Sequence, residues 1–321
     1  MVKIKLAQSE NFGMGTVITN RVFGEMAEEA LQAALQETSR LERLLSRFIR
    51  DSDISRINVC AGTGCQGIGS ETCELLLRSL EFSERCNGSF DVTIGPLAAL
   101  WSGARESSEP PCEAEIADAL PLVGYRDLAL DPREGTAALG RSGQSIDLGG
   151  IGKGYAADKV LDIYRKFGIG SAFTNFGGNV AVIGVKPDGS PWRIGIRHPR
   201  SENGLIGVIT TDGRSVVTSG DYQRYFIGVD GKRYHHILDP KTGYPAESGL
   251  VSVTVVADSS VAADALSTAL FVAGMEQGVD FLDSYPGTEA VFVGRDLSVH
   301  VTGGLRGSFQ PNKGIEVNWM R

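Results

Sequence analysis

The 321-residue chain has no excess of positive charge: 31 Lys and Arg stand against 39 Asp and Glu, a formal net charge of -8. Binding along a phosphate backbone needs a basic footprint, so nucleic acid is not an expected partner. Long apolar runs are missing too. The richest stretch, Ala262 to Gly274, is broken by Asp264, Ser267 and Thr268. It falls short of the ~20 residues of a membrane-spanning helix. The opening MVKIKLAQSENFGMG lacks the apolar run and small-residue cleavage site of a secretory leader. Cytoplasmic placement is therefore the expectation, with a periplasmic, membrane-anchored protein whose leader has been removed as the alternative. Cysteines are few and odd in number (Cys60, Cys65, Cys73, Cys86 and Cys112), with no C-x-x-C pair. That pattern excludes a disulfide framework and a zinc ribbon, leaving buried, reduced thiols as the expectation. What remains, 42% hydrophobic and 22% charged residues, is the composition of a globular protein long enough for one large domain or two ordinary ones.

Apolar residues from Met26 to Phe48 recur at a 3.6-residue period, which predicts a long amphipathic helix over 25–48. KIKLA (3–7) and TVIT (16–19) read as strands before it, and SDISRINVC (52–60) as a weak strand after it. Helical patterns follow at Thr72 to Cys86 and at Gly154 to Phe167, the latter halted by Gly168. From Ser171 onward short β-rich runs take over: SAFTNF, NVAVIGV, WRIGIRH, LIGVITT, RSVVTS and RYFIGV, separated by Gly, Pro, Asp and Asn. Helices at Ser259 to Ala273 and Met275 to Ser284 and strands EAVFVG and LSVHVT close the chain. The pattern is α/β or α+β with a large antiparallel sheet. The segment 102–115, SGARESSEPPCEAE, combines two prolines with charge and reads as a linker-like surface excursion. No repeat of fixed period is present.

Two glycine motifs are decoys. Gly62, Gly64 and Gly67 spell G-x-G-x-x-G without the strand, tight turn and helix that a dinucleotide fingerprint needs. In DLGGIGKGYAAD, Asp147 stands where a P-loop needs its first glycine and Gly154 where it needs Ser or Thr. There is no G-x-S-x-G either. Clustered glycines before a helix start still let a backbone approach a ligand closely and can bind an anion. NFGGN at 175–179 is a second such loop, and the two together favour a phosphorylated ligand over plain turns.

SSVAADALSTALFVAG is more specific. Ser259 or Ser260 can cap the helix, which leaves Asp264 more than a turn inside it among Ala, Leu and Val, where a carboxylate needs a partner. Ser267 and Thr268 follow at i+3 and i+4, so one turn presents only oxygen ligands, suited to Mg²⁺. The alternative is an Asp side chain bonded to that same Thr. In YHHILDPKTGYP, His235 and His236 precede a tight turn, as a solvent-exposed pair or as a general base.

The chain resembles the ApbE family of FAD:protein FMN transferases. MGT (14–16), LSRF (45–48), DSDISRIN (51–58), SFDVTIGPL (89–97), DLGGIGKGYAAD (147–158), NFGGN, WRIGIRHP (192–199), VVTSGDYQRYF (216–226), HHILDPKTGYP (235–245) and ADALSTALFVAG (263–274) occur in the family's order over nearly the whole chain. The resemblance implies a single domain over 1–321 with a tunnelling-fold-like core. It implies FAD as substrate, Mg²⁺ as cofactor, and transfer of FMN to a Thr or Ser hydroxyl of a partner protein with a Ser/Thr-Gly-Ala-Thr type motif, releasing AMP. Flavin contacts map to Met14, Phe48, Ser89, Phe90, Asp91, Asp147, Lys153 and Leu238. Metal contacts map to Gly150, through its carbonyl, and to Asp264, Ser267 and Thr268. Members often carry Tyr where Phe48 stands, which keeps a stacking ring without the hydroxyl. Lys153 would add charge stabilisation, and His236 is the expected base. Hydrolysis of FAD to FMN and AMP, or non-catalytic flavin carriage, are the alternatives.

Overall fold

The computed structural model describes residues 5–320. Its frame is a nine-stranded sheet whose spatial order follows the chain: Leu6–Gly13, Thr16–Phe23, Ser171–Phe176, Asn179–Ile183, Ser215–Gly220, Leu250–Ala257, Glu289–Gly294, Val299–Val301 and Val317–Trp319. Every neighbouring pair is antiparallel except the last, Val299–Val301 with Val317–Trp319. The α/β reading with a large antiparallel sheet and packed helices holds.

The helices are α1 (Ala27–Leu45), α2 (Asp53–Val59), α3 (Ser70–Arg85), α4 (Gly95–Ser107), α5 (Glu113–Ala119), α6 (Gly152–Lys166), α7 (Ser260–Ala273) and α8 (Met275–Leu282). α1, α6 and α7 lie side by side on one face of the sheet, with α7 over strands 215–220 and 250–257. A three-stranded sheet of 192–197, 205–211 and 309–311 covers the other face through Trp192, Ile194, Ile209 and Phe309. Strand 250–257 is buried at every position, because helices cover one of its faces and the small sheet the other. A register shift between Leu250 and Ser252 moves Leu250 to the helix side and Val251 to the opposite core.

Several sequence expectations are corrected. SDISRINVC is helix α2, not a weak strand: the Ser52 hydroxyl accepts from the Ser55 N–H and caps it. Residues 102–107 of the expected linker are the last turns of α4, and α5 begins at Glu113, so only 108–112 connect them. α4 is held by Leu97, Trp101 and Ala104, which pack with Ile116 and Leu238, and by the Trp101 indole N–H, which donates to the Gly243 carbonyl at 2.8 Å. The first strand starts at Leu6 and runs to Gly13, so KIKLA meets it only at its end, and Lys3 and Ile4 lie outside the described residues. None of the five cysteines is paired, but Cys65 and Cys112 are exposed rather than buried.

Candidate active site

The site is built where α6 crosses α7. Gly154, in the first turn of α6, has no side chain to hold the helices apart. A Cβ there would lie 2.7 Å from the Cβ of Asp264 and closer still to the Ser260 carbonyl. At that approach the Gly154 N–H donates to the Asp264 carboxylate at 2.9 Å, and the Lys153 ammonium lies 3.5 Å from its other oxygen. Asp264 is 3% exposed, so these two groups answer the need for a partner that its place in an apolar helix creates. Ser267 and Thr268 do not bond the carboxylate. Their hydroxyls donate to the Asp264 backbone carbonyl at 3.0 and 3.4 Å, and both meet the Ser219 hydroxyl, at 2.8 and 3.4 Å. Gly150 closes the group: a Cβ on it would touch Phe90 at 3.2 Å and the Thr268 hydroxyl at 3.3 Å.

One carboxylate, three hydroxyls and a nearby loop backbone form an oxygen-only donor set. Among the described residues no three His, Cys, Asp or Glu side chains gather as a metal cluster. The set therefore fits a hard cation that keeps much of its hydration, as Mg²⁺ does, and not a soft transition metal.

Asp158, at the end of the same glycine-rich motif, braces the crossing. Its carboxylate accepts from the N–H groups of Ser260 and Val261 at 2.8 and 3.0 Å and from the Ser259 hydroxyl at 2.9 Å, while Ser259 itself caps α7. Burial pushes the Asp158 carboxyl upward against these bonds.

The loop before α6 leads outward. Asp147 accepts from the Gly149 N–H at 2.7 Å and pairs with the Arg47 guanidinium at 3.0 Å. Lys153 donates to the Gly149 carbonyl at 2.6 Å, which bends the loop back onto α6. The Arg47 guanidinium lies 4.7 Å over the Phe48 ring, and that ring is 83% exposed. Met14 stands at a hairpin tip with φ of 50°, its N–H held by Glu42 at 2.7 Å and its methyl directed toward Gly152. Arg224 ties the same tip through the Gly15 carbonyl at 2.9 Å.

The paired histidines differ sharply. His235 is buried, edge-on to Phe271, and accepts from the Ile237 N–H at Nδ1. Its proton therefore sits on Nε2, which faces the Ala246 carbonyl at 3.2 Å. His236 points the other way. Its Nδ1 lies 3.1 Å from the Arg224 carbonyl, which can only accept, so Nδ1 holds the proton and Nε2 keeps its lone pair. Solvent reaches this ring. Protein still surrounds it closely enough that lost hydration, aided by the charges of Arg224 and Lys153, pushes its pKa below the ordinary value. Water at the ring's edge moderates that penalty without reversing it, so the imidazole is neutral at pH 7.

Gly150, Lys153, Asp264, Ser267, Thr268 and Phe90 thus form one group, with Asp147 and Met14 adjoining it and His236 near Lys153. Three residues stand otherwise. Asp91 uses both carboxylate oxygens inside the fold, accepting from the Thr93 N–H and hydroxyl at 2.7 Å and from the Tyr125 N–H at 2.8 Å. Ser89 is buried, and Leu238 packs with Leu97 and Trp101. Ser219, Arg47 and Asp158 join the site as well, each inside a motif (VVTSGDYQRYF, LSRF and DLGGIGKGYAAD) but bonded to partners far off in the chain, so that no local spacing marks them.

A sequence model described as the ApbE family matches residues 14–292. The FAD:protein FMN transferase of Klebsiella pneumoniae is 35% identical over 300 residues, covering 93% of this chain and 92% of that protein. The FAD:protein FMN transferase of Treponema pallidum is 33% identical over 312 residues, covering 91% of this chain and 85% of that protein. The crystal structure of the ApbE protein of Thermotoga maritima superimposes with a TM-score of 0.87 at 34% identity, over 95% of this chain and 99% of that one. The apo flavinyl transferase ApbE of Pseudomonas stutzeri gives 0.83 at 32% identity, over 96% and 98%.

Proposed function

Because this chain belongs to the ApbE family, we propose that it is an FAD:protein FMN transferase, moving the FMN half of FAD to a Thr or Ser hydroxyl of an acceptor protein and releasing AMP. The observation that carries this reading is the α6–α7 crossing, which places the buried Asp264 carboxylate, the Ser267 and Thr268 hydroxyls and the Lys153 ammonium together.

Asp264, Ser267, Thr268 and the Gly150 carbonyl would hold Mg²⁺. Bound there, the ion would supply charge neutralisation at a pyrophosphate. The positive end of α6 favours a phosphate at its start, where Gly149, Gly150 and Gly152 let it approach. Lys153 adds a cation at the charge that develops on the departing AMP. The acceptor hydroxyl oxygen forms the new bond to the FMN phosphorus as the bond to the AMP oxygen breaks. The hydroxyl's proton passes to Nε2 of His236, whose orientation is fixed by the Arg224 carbonyl. Phe48 stacks on the flavin.

Incubation with FAD and Mg²⁺, with and without an acceptor carrying a Ser/Thr-Gly-Ala-Thr type motif, tests the reading. AMP release that requires the acceptor supports the transferase. Equal release without it makes the protein a pyrophosphatase, and no release in either case makes it a carrier.

A further inference from the structure

Strands Tyr225–Ile227 and Arg233–His235 pair only with each other, as a hairpin whose open end meets His236. The Arg224 carbonyl closes it, accepting from the His236 N–H at 3.1 Å and lying 3.1 Å from Nδ1 of the same residue. At the far end the Val229 N–H donates to the carbonyl of Ser108, just past α4, at 3.0 Å. Both ends are therefore fixed. Successive side chains of a strand point to opposite faces. Phe226 and Tyr234 stack on each other at 5.3 Å and cover Trp101. Tyr225 and Ile227 take the other face and Val229 follows at the turn, and these three are 39%, 50% and 74% exposed. The apolar clusters of the fold take in Phe226 and Tyr234 but none of the three.

The backbone of the hairpin is open as well. Its ladder bonds fall at Arg224 with His236 and at Gly228 with Lys232, so by alternation the N–H and C=O groups of Tyr225 and Ile227 face outward. Among the described residues no hydrogen bond meets them. Such an edge is a template for an added strand. The hairpin is also basic: Arg224, Lys232 and Arg233 stand against Asp230 alone, in a chain of net charge -8. Lys232 and Arg233 are exposed, and the Arg233 guanidinium lies 4.2 Å over the Tyr225 ring.

We propose that this hairpin is where the acceptor protein docks, its open edge pairing with an extended segment of the acceptor and its apolar row and cations meeting an apolar, acidic surface around that segment. The inference rests on the transferase reading above. A Ser/Thr-Gly-Ala-Thr type motif offers almost no side chain to grip, so its recognition falls to main-chain pairing and to contacts outside the motif. The hairpin supplies both. A segment paired along Tyr225–Ile227 runs on to the Arg224–His236 pair that closes the ladder, where the hydroxyl proton is taken.

The test measures FMN transfer against the concentration of an acceptor domain bearing the motif, for wild type, the double variant Ile227→Thr with Val229→Asp, Lys232→Glu, and the control Val185→Asp, whose exposed side chain lies past strand 179–183. FAD affinity, unfolding temperature and mass in solution are read for each. In the double variant kcat/KM for the acceptor falls at least about tenfold, while kcat at saturating acceptor and FAD affinity change less than about twofold. Lys232→Glu alone lowers kcat/KM about threefold or more, and the wild-type value falls as salt rises. Threonine keeps a β-branched side chain in the strand, and Lys232→Glu keeps the test decisive if the double variant fails to fold. Unchanged kcat/KM overturns the docking surface, as does an equal loss in Val185→Asp or a loss confined to kcat, which would leave the hairpin no role beyond holding His236. A wild-type dimer that the double variant turns into a monomer gives the face to a second copy and overturns it too. Wild type that transfers no FMN to the domain is a different result: it removes the transferase reading itself, and the docking surface with it.

Discussion

The Gly154 N–H donates to the Asp264 carboxylate at 2.9 Å across a helix crossing, joining residues 110 positions apart in the chain. Fold and chemistry meet in that bond. The same carboxylate that would hold a cation is aimed by the backbone of the glycine-rich loop, so the loop cannot move without moving the ligand.

Asp264→Asn isolates the charge from the geometry. An amide oxygen can still accept from Gly154, so the unfolding temperature stays close to wild type. AMP release from FAD in the presence of Mg²⁺ and acceptor falls by about 10²-fold or more. Wild-type rates from the purified variant would remove Asp264 from the metal site.

Gly154→Ala does the reverse. The added methyl meets the Ser260 carbonyl and Asp264 at distances that backbone atoms cannot relax by a rotamer change. Stability falls by about 1–3 kcal/mol, read from denaturant or thermal unfolding, and the dependence of the rate on Mg²⁺ concentration shifts upward. Unchanged stability would mean that the two helices are not in contact here.

Phe48→Ala changes binding without changing the fold, because the ring is 83% exposed and contributes little to the core. FAD affinity drops by about 1–3 kcal/mol, the range for a planar ring stacked on an aromatic side chain, measured by fluorescence titration. Affinity equal to wild type would place the flavin elsewhere.

The histidine pair separates chemistry from stability. His236→Asn slows transfer by about 10²-fold while FAD binding persists, and His235→Asn leaves the chemical step near wild type. Because lost hydration, with the charges of Arg224 and Lys153, holds the pKa of His236 below its usual value, the acid limb of kcat/KM lies below pH 6.5. His235 is also pushed down by burial. Its neutral form is favoured in the folded state, so its contribution to stability is full above the unfolded pKa near 6.5 and is lost as pH falls toward the folded pKa. Thermal unfolding from pH 7.5 to 5 should show that loss, with a shallower slope in His235→Asn.

Helices α1, α6 and α7 were legible because a buried stripe repeats at 3.6 residues or, in α7, because an apolar run has a serine cap at its start. Strand 250–257 was not, since burial on both faces erases the alternation that marks a strand. α2 and the end of α4 are hidden for different reasons: DISRINV carries β-branched Ile and Val and is held helical by the Ser52 cap, while SGARES at 102–107 is small, polar and charged and continues a helix anchored through Trp101. Asp264, Ser267 and Thr268 stood out from residues alone, as oxygens on an otherwise apolar turn. Asp158 did not, because a carboxylate that caps a helix 102 residues away leaves no local signature. The flavin contacts came only through the family resemblance. For Asp91 the structure adds what a motif cannot show, a carboxylate whose oxygens are already engaged by Thr93 and Tyr125.

The central claim is transfer of FMN to a protein hydroxyl, and the intact mass of an acceptor tests it most directly. The protein is incubated with FAD, Mg²⁺ and an acceptor domain bearing the Ser/Thr-Gly-Ala-Thr type motif, in parallel with the same domain whose final Thr is replaced by Ala. The account predicts a mass gain of one FMN less one water on the first domain alone, with one AMP released per adduct. Release of AMP and free FMN with no adduct on either domain would contradict it.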